Sequence, residues 1–301
     1  MDYTEATAAF FSPRAEGTTV PEVVAKASPA RRLRDACEPI AMHAVWSPGT
    51  NERLAKEGFN FLTAYVGGRA ASLGQPVGPV VAAAFAWFEP GLVAALYDAA
   101  AGLLPHEELL AVRDEATTAS LRSALDGDDP TGVADRLATA VEGADGTGRP
   151  LFSGLRGRSR PVDPVHRLWW ACELIREHRG DSHIAAAAVS GVGPVEMNIL
   201  TELWLGMPLL SYTASRGWAP EVMAEAVTGL ERRGWLDGGA LTAAGRGARQ
   251  GIEELTDAQE QRIVVALGDH IDELCRQLQV WGDRCVAAGA FPADILKRAA
   301  G

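Results

Sequence analysis

Trp235-Leu236-Asp237-Gly238-Gly239-Ala240-Leu241-Thr242 reads as two short strands around a tight turn. Asp-Gly-Gly supplies the positive-φ residues that a two-residue hairpin loop needs, and apolar residues flank it. Upstream, the spacing predicts a helix over 220–233, with Pro220 in its first turn and Gly234 just past its end, the usual punctuation. Before that come a short helix over 209–215 and a helix from Pro194 to about Leu205, preceded by Gly191-Val192-Gly193. Downstream, Thr242 caps a helix running to Glu254.

Helix, helix, helix, hairpin, helix is the winged-helix order, a helix-turn-helix variant whose third helix is the reader. The rest of the chain reads as mainly α. Residues 1–28 carry few signals and read as an N-terminal extension. Residues 29–125 repeat Ala, Leu and Val at three- and four-residue steps, the pattern of a helical domain. Residues 126–164, rich in Gly, Pro and Arg around one short helix at 131–142, read as a linker. Residues 165–292 hold an aromatic helix, the winged helix and a closing helix at 263–288. A weak internal echo links Tyr65-Val66-Gly67-Gly68-Arg69 and Gly78-Pro79-Val80 with 177–183 and Gly193-Pro194-Val195, so the first half also reads as a degenerate winged-helix repeat.

The composition is globular: 47% hydrophobic, 22% charged. No apolar run approaches the roughly 20 residues of a membrane span, and the acidic start Met1-Asp2-Tyr3-Thr4-Glu5 is unlike a secretion signal, so a cytoplasmic protein is expected. Cys37, Cys172, Cys275 and Cys285 show no CxxC spacing and read as reduced core thiols. A net charge of −11 works against contact with nucleic acid unless a local basic patch exists. The expected reader has none, since it opens Ala219-Pro220-Glu221-Val222-Met223-Ala224-Glu225, and 211–257 holds five arginines against seven acids. DNA is therefore a disfavoured partner. Arg31-Arg32-Leu33-Arg34 and Arg156-Gly157-Arg158-Ser159-Arg160 are the other basic runs, the second reading as a solvated loop.

The sharper chemical signal is His178-Arg179-Gly180-Asp181-Ser182-His183. Gly180 can end one helix while Asp181 or Ser182 caps another at 184–190, which makes the motif a helix-to-helix corner. In such a corner His178, Asp181 and His183 converge beside Arg179. A histidine oriented by a carboxylate suits acid–base catalysis, and two imidazoles with a carboxylate suit a divalent metal, with His178 and His183 as ligands and His43 as an extra one. Arg69 falls opposite this corner in the internal echo and would fix a carboxylate or phosphate. Tyr65 and Phe88 stand at the same wall, suited to a planar ligand. His43, Tyr65, Arg69, Phe88 and Arg179 are thus the candidate ligand-binding residues. No phosphate-cradling glycine loop, GxSxG or HExxH occurs.

The chain also resembles an actinobacterial group of MarR-like helix-turn-helix proteins with an HRGDxH signature before a winged helix. The resemblance covers roughly residues 30–292. Its pieces are Glu38-Pro39-Ile40 with His43-Ala44-Val45, Gly68-Arg69-Ala70-Ala71 with Leu73-Gly74, Leu168-Trp169, and 178–183. They continue with Arg216-Gly217-Trp218, Arg233-Gly234-Trp235-Leu236-Asp237, Leu241-Thr242 with Ala244-Gly245-Arg246, and Ala288-Gly289-Ala290-Phe291-Pro292. It implies a winged-helix fold. Function then divides between a ligand-responsive regulator, binding a small anionic or aromatic ligand in a cleft between the halves, an enzyme on a repurposed scaffold using His178, Asp181 and His183 with no DNA binding, and an interaction module whose acidic helix face docks on a partner. The closing helix, with Leu267, Ile271, Leu274 and Leu278 on one face, is expected to pair protomers in a homodimer.

Overall fold

The computed structural model describes residues 1–11 and 20–300. Near the start, α1 (Tyr3–Phe10) and α2 (Glu22–Ala25) precede the first core helix. The extension is anchored, because Phe10 and Phe11 pack on Trp46 and the Tyr3 hydroxyl donates to the Trp46 carbonyl at 2.7 Å. The first half continues with α3 (Pro29–Ala41), α4 (His43–Trp46), α5 (Pro48–Ala55) and α6 (Phe61–Ala70). Then come α7 (Gly78–Phe85), α8 (Pro90–Ala101) and α9 (His106–Leu125). Proline at the first turn of α3, α5, α7 and α8 fixes φ where no intrahelical N–H bond is lost.

The stretch expected to be a linker is built into the core. It forms α10 (Thr131–Glu142), at the expected position, and α11 (Pro150–Arg156). Leu137, Ala138 and Val141 of α10 are fully buried in a cluster shared with Leu33, Cys37, Leu168, Trp169 and Leu278. The Gly- and Pro-rich composition there reflects tight turns between short buried helices.

The largest correction concerns 178–183. The segment lies inside one uninterrupted helix, α12 (Pro164–Val189), so the expected corner and the separate helix at 184–190 do not exist. An interior glycine costs about 1 kcal/mol relative to alanine, which is small beside the burial of α12 against α3, α9, α10, α11 and α15. The residues expected to cap a new helix are also engaged elsewhere. Asp181 accepts from the Phe152 backbone N–H at the start of α11, and Ser182 donates back to the His178 carbonyl.

The winged helix forms from α13 (Pro194–Trp204), a 3-10 turn over Thr213–Arg216 in place of the helix expected over 209–215, α14 (Pro220–Arg232), β1 (Leu236–Asp237), β2 (Ala240–Leu241) and α15 (Ala243–Gln259), which runs past the expected end at Glu254. The strands pair antiparallel, Leu236 opposite Leu241, and Gly238 and Gly239 both take positive φ. Thr242 caps α15 by accepting from the Gly245 N–H. Met223, Leu230, Leu236, Leu241 and Ile252 close a core with Ala186 and Ala187 from the end of α12.

The closing segment breaks at Gly268, whose φ is +51°, into α16 (Gln261–Leu267) and α17 (Ile271–Ala287), followed by α18 (Ile295–Ala300). Leu267, Ile271, Leu274 and Leu278 are all buried within this chain, in the cluster that holds Leu33, Cys37 and Ile40 of α3. The face expected to pair protomers is therefore occupied intramolecularly. Among the described residues no single helix is long and apolar enough to cross a membrane.

Candidate functional site

Since α12 is continuous, its side chains leave at about 100° per residue, which puts His178 and His183 about 140° apart around the axis. His178 Nδ1 meets Glu260 at 2.7 Å and its ring packs edge-on against Phe152. His183 Nδ1 meets Thr256 at 3.0 Å, and burial near Arg249 holds its pKa well below the ordinary value. Asp181, buried beside Phe152, has one oxygen without a partner, and burial together with the Glu177 carboxylate pushes it up to about 7. The three side chains do not converge. Among the described residues no group of three or more His, Cys, Asp or Glu is placed to hold a metal ion. His43 is remote from them, buried against Ser120 of α9, and burial lowers it to about 4.

Arg179 turns to α15, pairing with Asp257 at 2.7 Å and with Glu253. Glu253 also takes Arg31 of α3 and Arg249, each at 2.8 Å. Burial opposes its ionisation, yet these three guanidinium groups hold it well below the usual carboxylate range. Arg249 lies 4.3 Å over the Trp204 ring. This buried knot ties α3 and α12 to the helix behind the hairpin. It also removes Arg31 from the first basic run as a phosphate contact. Arg158 and Arg160, read as a solvated run, are paired with Asp114 and with Asp135 and Glu142.

Tyr65, Arg69 and Phe88 do assemble. Arg69 holds Glu177 through two bonds of 2.9 and 2.8 Å, donates to the Tyr65 hydroxyl at 3.0 Å, and lies 4.5 Å over Phe85. The Tyr65 and Phe88 rings are 5.8 Å apart. Arg176 bridges Glu177 at 2.7 Å and Glu38 at 3.1 Å. Burial opposes ionisation of Glu177, but Arg69 and Arg176 bring it down to about 2. Beside them runs a crevice lined by Met42, Val45, Tyr65, Arg69, Arg176 and Glu177, with a volume of about 10 Å³, room for one water molecule.

Sequence reasoning missed what lies next to this cluster. Arg216, in the turn just before α14, lies 4.5 Å over Phe88 and 4.1 Å over Tyr212. Among the described residues it has no carboxylate or carbonyl partner, and its Nε is sealed from solvent without an acceptor. Burial, with Arg176 and Arg69 nearby, draws it down to about 10. In the sequence, Arg216-Gly217-Trp218 is the available signal, but nothing in it distinguishes an unpaired arginine from a paired one.

The first half meets the winged helix through the turn after α7. Ala86 has φ 48° and ψ −54°, and the Trp87 N–H reaches back to the Phe85 carbonyl at 2.6 Å, a positive-φ γ-turn of the rare, strained kind. That turn aims the Trp87 carbonyl at two donors of the winged helix, Asn198 Nδ2 at 2.9 Å and Trp218 Nε1 at 3.0 Å. The Glu89 N–H donates to the Arg216 carbonyl at 2.9 Å, and the Trp87 ring faces His183 at 5.7 Å. Gly217, at φ +81°, lets the chain pass Leu92, whose Cδ2 would sit 2.5 Å from an added Cβ.

The outer face of α14 exposes Glu221, Val222, Ala224, Glu225, Thr228, Glu231 and Arg232, an acidic surface. A mainly helical chain with one short hairpin, in this order of elements, defines a helix-turn-helix protein. The comparison agrees: the chain belongs to a helix-turn-helix family, matched over residues 30–292. None of the curated proteins or solved structures compared with it matches.

Proposed function

We propose that this protein is a ligand-responsive regulator of the MarR-like kind, in which a small anionic ligand at the seam between the halves alters how the Ala86–Glu89 turn holds α14. One observation carries the reading. A strained turn, costing about 1–3 kcal/mol, is kept at the point where the first half grips both α13 and the segment leading into α14. Strain at a joint is a store that a bound ligand can release, shifting the balance between two arrangements. The surplus of arginine at the seam favours an anion there. Membership of a helix-turn-helix family supports DNA as the output.

A second output is favoured by the acidic face of α14, which suits a basic protein surface better than phosphates. Selection of genomic fragments at about 50 and 200 mM salt decides between them. As a DNA regulator, the protein retains fragments at low salt and loses them at high salt. Ala86→Gly, which removes the strain, and Trp218→Phe, which removes one seam bond, then change that retention. Neutralising Glu221 and Glu225 to Gln raises retention several-fold if α14 faces phosphates. No retention at low salt, in wild type or in the neutralised variant, refutes the DNA output. Identical ligand responses in wild type, Ala86→Gly and Trp218→Phe refute the seam as the coupling element.

A further inference from the structure

We infer that the free edge of the Arg216 guanidinium is the anchor of a binding site for a small organic monocarboxylate. The inference rests on the ligand-responsive reading above and names the ligand class at the same seam. A guanidinium taken partly out of water normally meets a carboxylate, because an unpaired charge there is costly. The neighbouring arginines follow that rule, Arg69 on Glu177 and Arg176 on Glu177 and Glu38. Among the described residues Arg216 has no such partner, although two aromatic rings hold it in place.

The geometry selects the ligand. The rings of Phe88 and Tyr212 interact with the cation and accept no in-plane N–H bond, so the remaining N–H edge is left for a planar partner. A carboxylate matches that edge with two parallel bonds. The charge balance selects further. Arg69 and Arg176 are met by Glu177 and Glu38, so among the described residues the cation left without a carboxylate in this cluster is Arg216, a single charge that a monoanion neutralises and a dianionic phosphate overshoots. Phe88, Tyr212 and Arg216 are each partly exposed, so the anion reaches the edge from solvent without opening the core, and its apolar part lies against the rings.

The site also has a route to the output. Arg216 is four residues before Pro220, the first residue of α14, and its own carbonyl is held by Glu89 of the strained turn. Pulling on its side chain pulls on the segment that positions α14.

The test uses the full chain at constant ionic strength. Calorimetry and tryptophan fluorescence follow titration with acetate, butyrate, benzoate, benzamide and inorganic phosphate. The expected result is one carboxylate bound per chain, with benzoate at least tenfold tighter than benzamide or phosphate. Arg216→Lys weakens benzoate at least tenfold by losing the planar fork, and Arg216→Gln abolishes it. Arg232→Gln, on the exposed face of α14, leaves it unchanged. Because Arg216 has no partner to orphan, Arg216→Gln is expected to melt at or above the wild-type temperature. If it unfolds instead, protection of Arg216 from phenylglyoxal by benzoate in the wild type, read by mass spectrometry, supplies the answer. Absence of binding by all three carboxylates, equal binding of benzoate and benzamide, or absence of that protection overturns the assignment. If phosphate or benzamide changes the tryptophan signal while carboxylates do not, the monocarboxylate falls and the ligand-responsive reading stands. If seam variants alter no ligand response at all, the broader reading falls with it.

Discussion

Asp181 gives the most demanding test of how the centre of α12 is built. Its carboxyl is 3% exposed, accepts one backbone N–H from Phe152, and leaves its other oxygen without a partner. Burial, with Glu177 one turn away, raises it from 3.8 to about 7. A carboxyl raised on folding binds a proton in the folded state that the unfolded state has already released. Its stabilising contribution is therefore complete below pH 3.8, erodes as pH rises, and is exhausted above the folded value. Between pH 5 and pH 8 about two units of that window are crossed, and at about 1.36 kcal/mol per unit the loss is about 3 kcal/mol. Asp181→Asn keeps an oxygen for the Phe152 N–H but cannot ionise. Urea unfolding of both proteins at pH 5, 6, 7 and 8 cancels every other titrating group in the difference between them. The wild type should lose about 3 kcal/mol relative to the variant across this range. A difference constant to within about 0.5 kcal/mol, or one of opposite sign, refutes the argument.

Three further outcomes follow from the same packing. His43, lowered from 6.5 to about 4 by burial, stays neutral in the fold while the unfolded chain gains a proton below pH 6.5, so stability falls on acidification from 6.5 towards 4. His43→Gln should flatten that limb by about 3 kcal/mol between pH 7 and 4.5, checked by chemical denaturation. Glu177→Ala strands Arg69 and half of the Arg176 pairing, and should cost about 3–5 kcal/mol by urea unfolding, far more than loss of an exposed pair. Gly245→Ala would bring a Cβ within 2.1 Å of the Trp235 carbonyl oxygen, a backbone atom that cannot swing away. The start of α15 must then shift from the hairpin, at a cost of about 3 kcal/mol, seen as a lower melting temperature with helix content retained.

The winged helix was readable because its signals are local. Pro220, Gly234, Asp237-Gly238-Gly239 and Thr242 act through φ preferences and caps within a few residues, and the structure starts and stops its elements within a residue or two of them. The 263–288 helix was legible as helix, but its apolar stripe could not say what covers it. An intramolecular cover, α3, lies more than 200 residues away in sequence and leaves the same periodic pattern as a second protomer would. The 126–164 stretch misled for a related reason, since turns between short buried helices share their Gly and Pro content with exposed linkers.

His178–His183 misled most, and the reason bears on how charged motifs are read. Histidines, arginine and aspartate packed into six residues suggest one reacting point only if the backbone turns a corner there. On a continuous helix the same residues are dealt to different neighbours: His178 to Glu260, Arg179 to Glu253 and Asp257, Asp181 to the first turn of α11, and His183 to Thr256 and the Trp87 turn. His178, Arg179 and His183 fasten α12 to α15 and the residue that follows it, Asp181 fastens it to α11, and His178, Arg179 and Asp181 are buried enough that losing a partner is costly. Such a segment carries a dense polar signature because it is the point where the helical half, the hairpin domain and the strained turn are fastened together. Glu177 and Arg176, immediately before it, fasten the arginine cluster of the seam to the same helix. An anion drawn to Arg216 would thus act on a joint whose other side is already fixed, so movement falls on the 212–220 segment and α14.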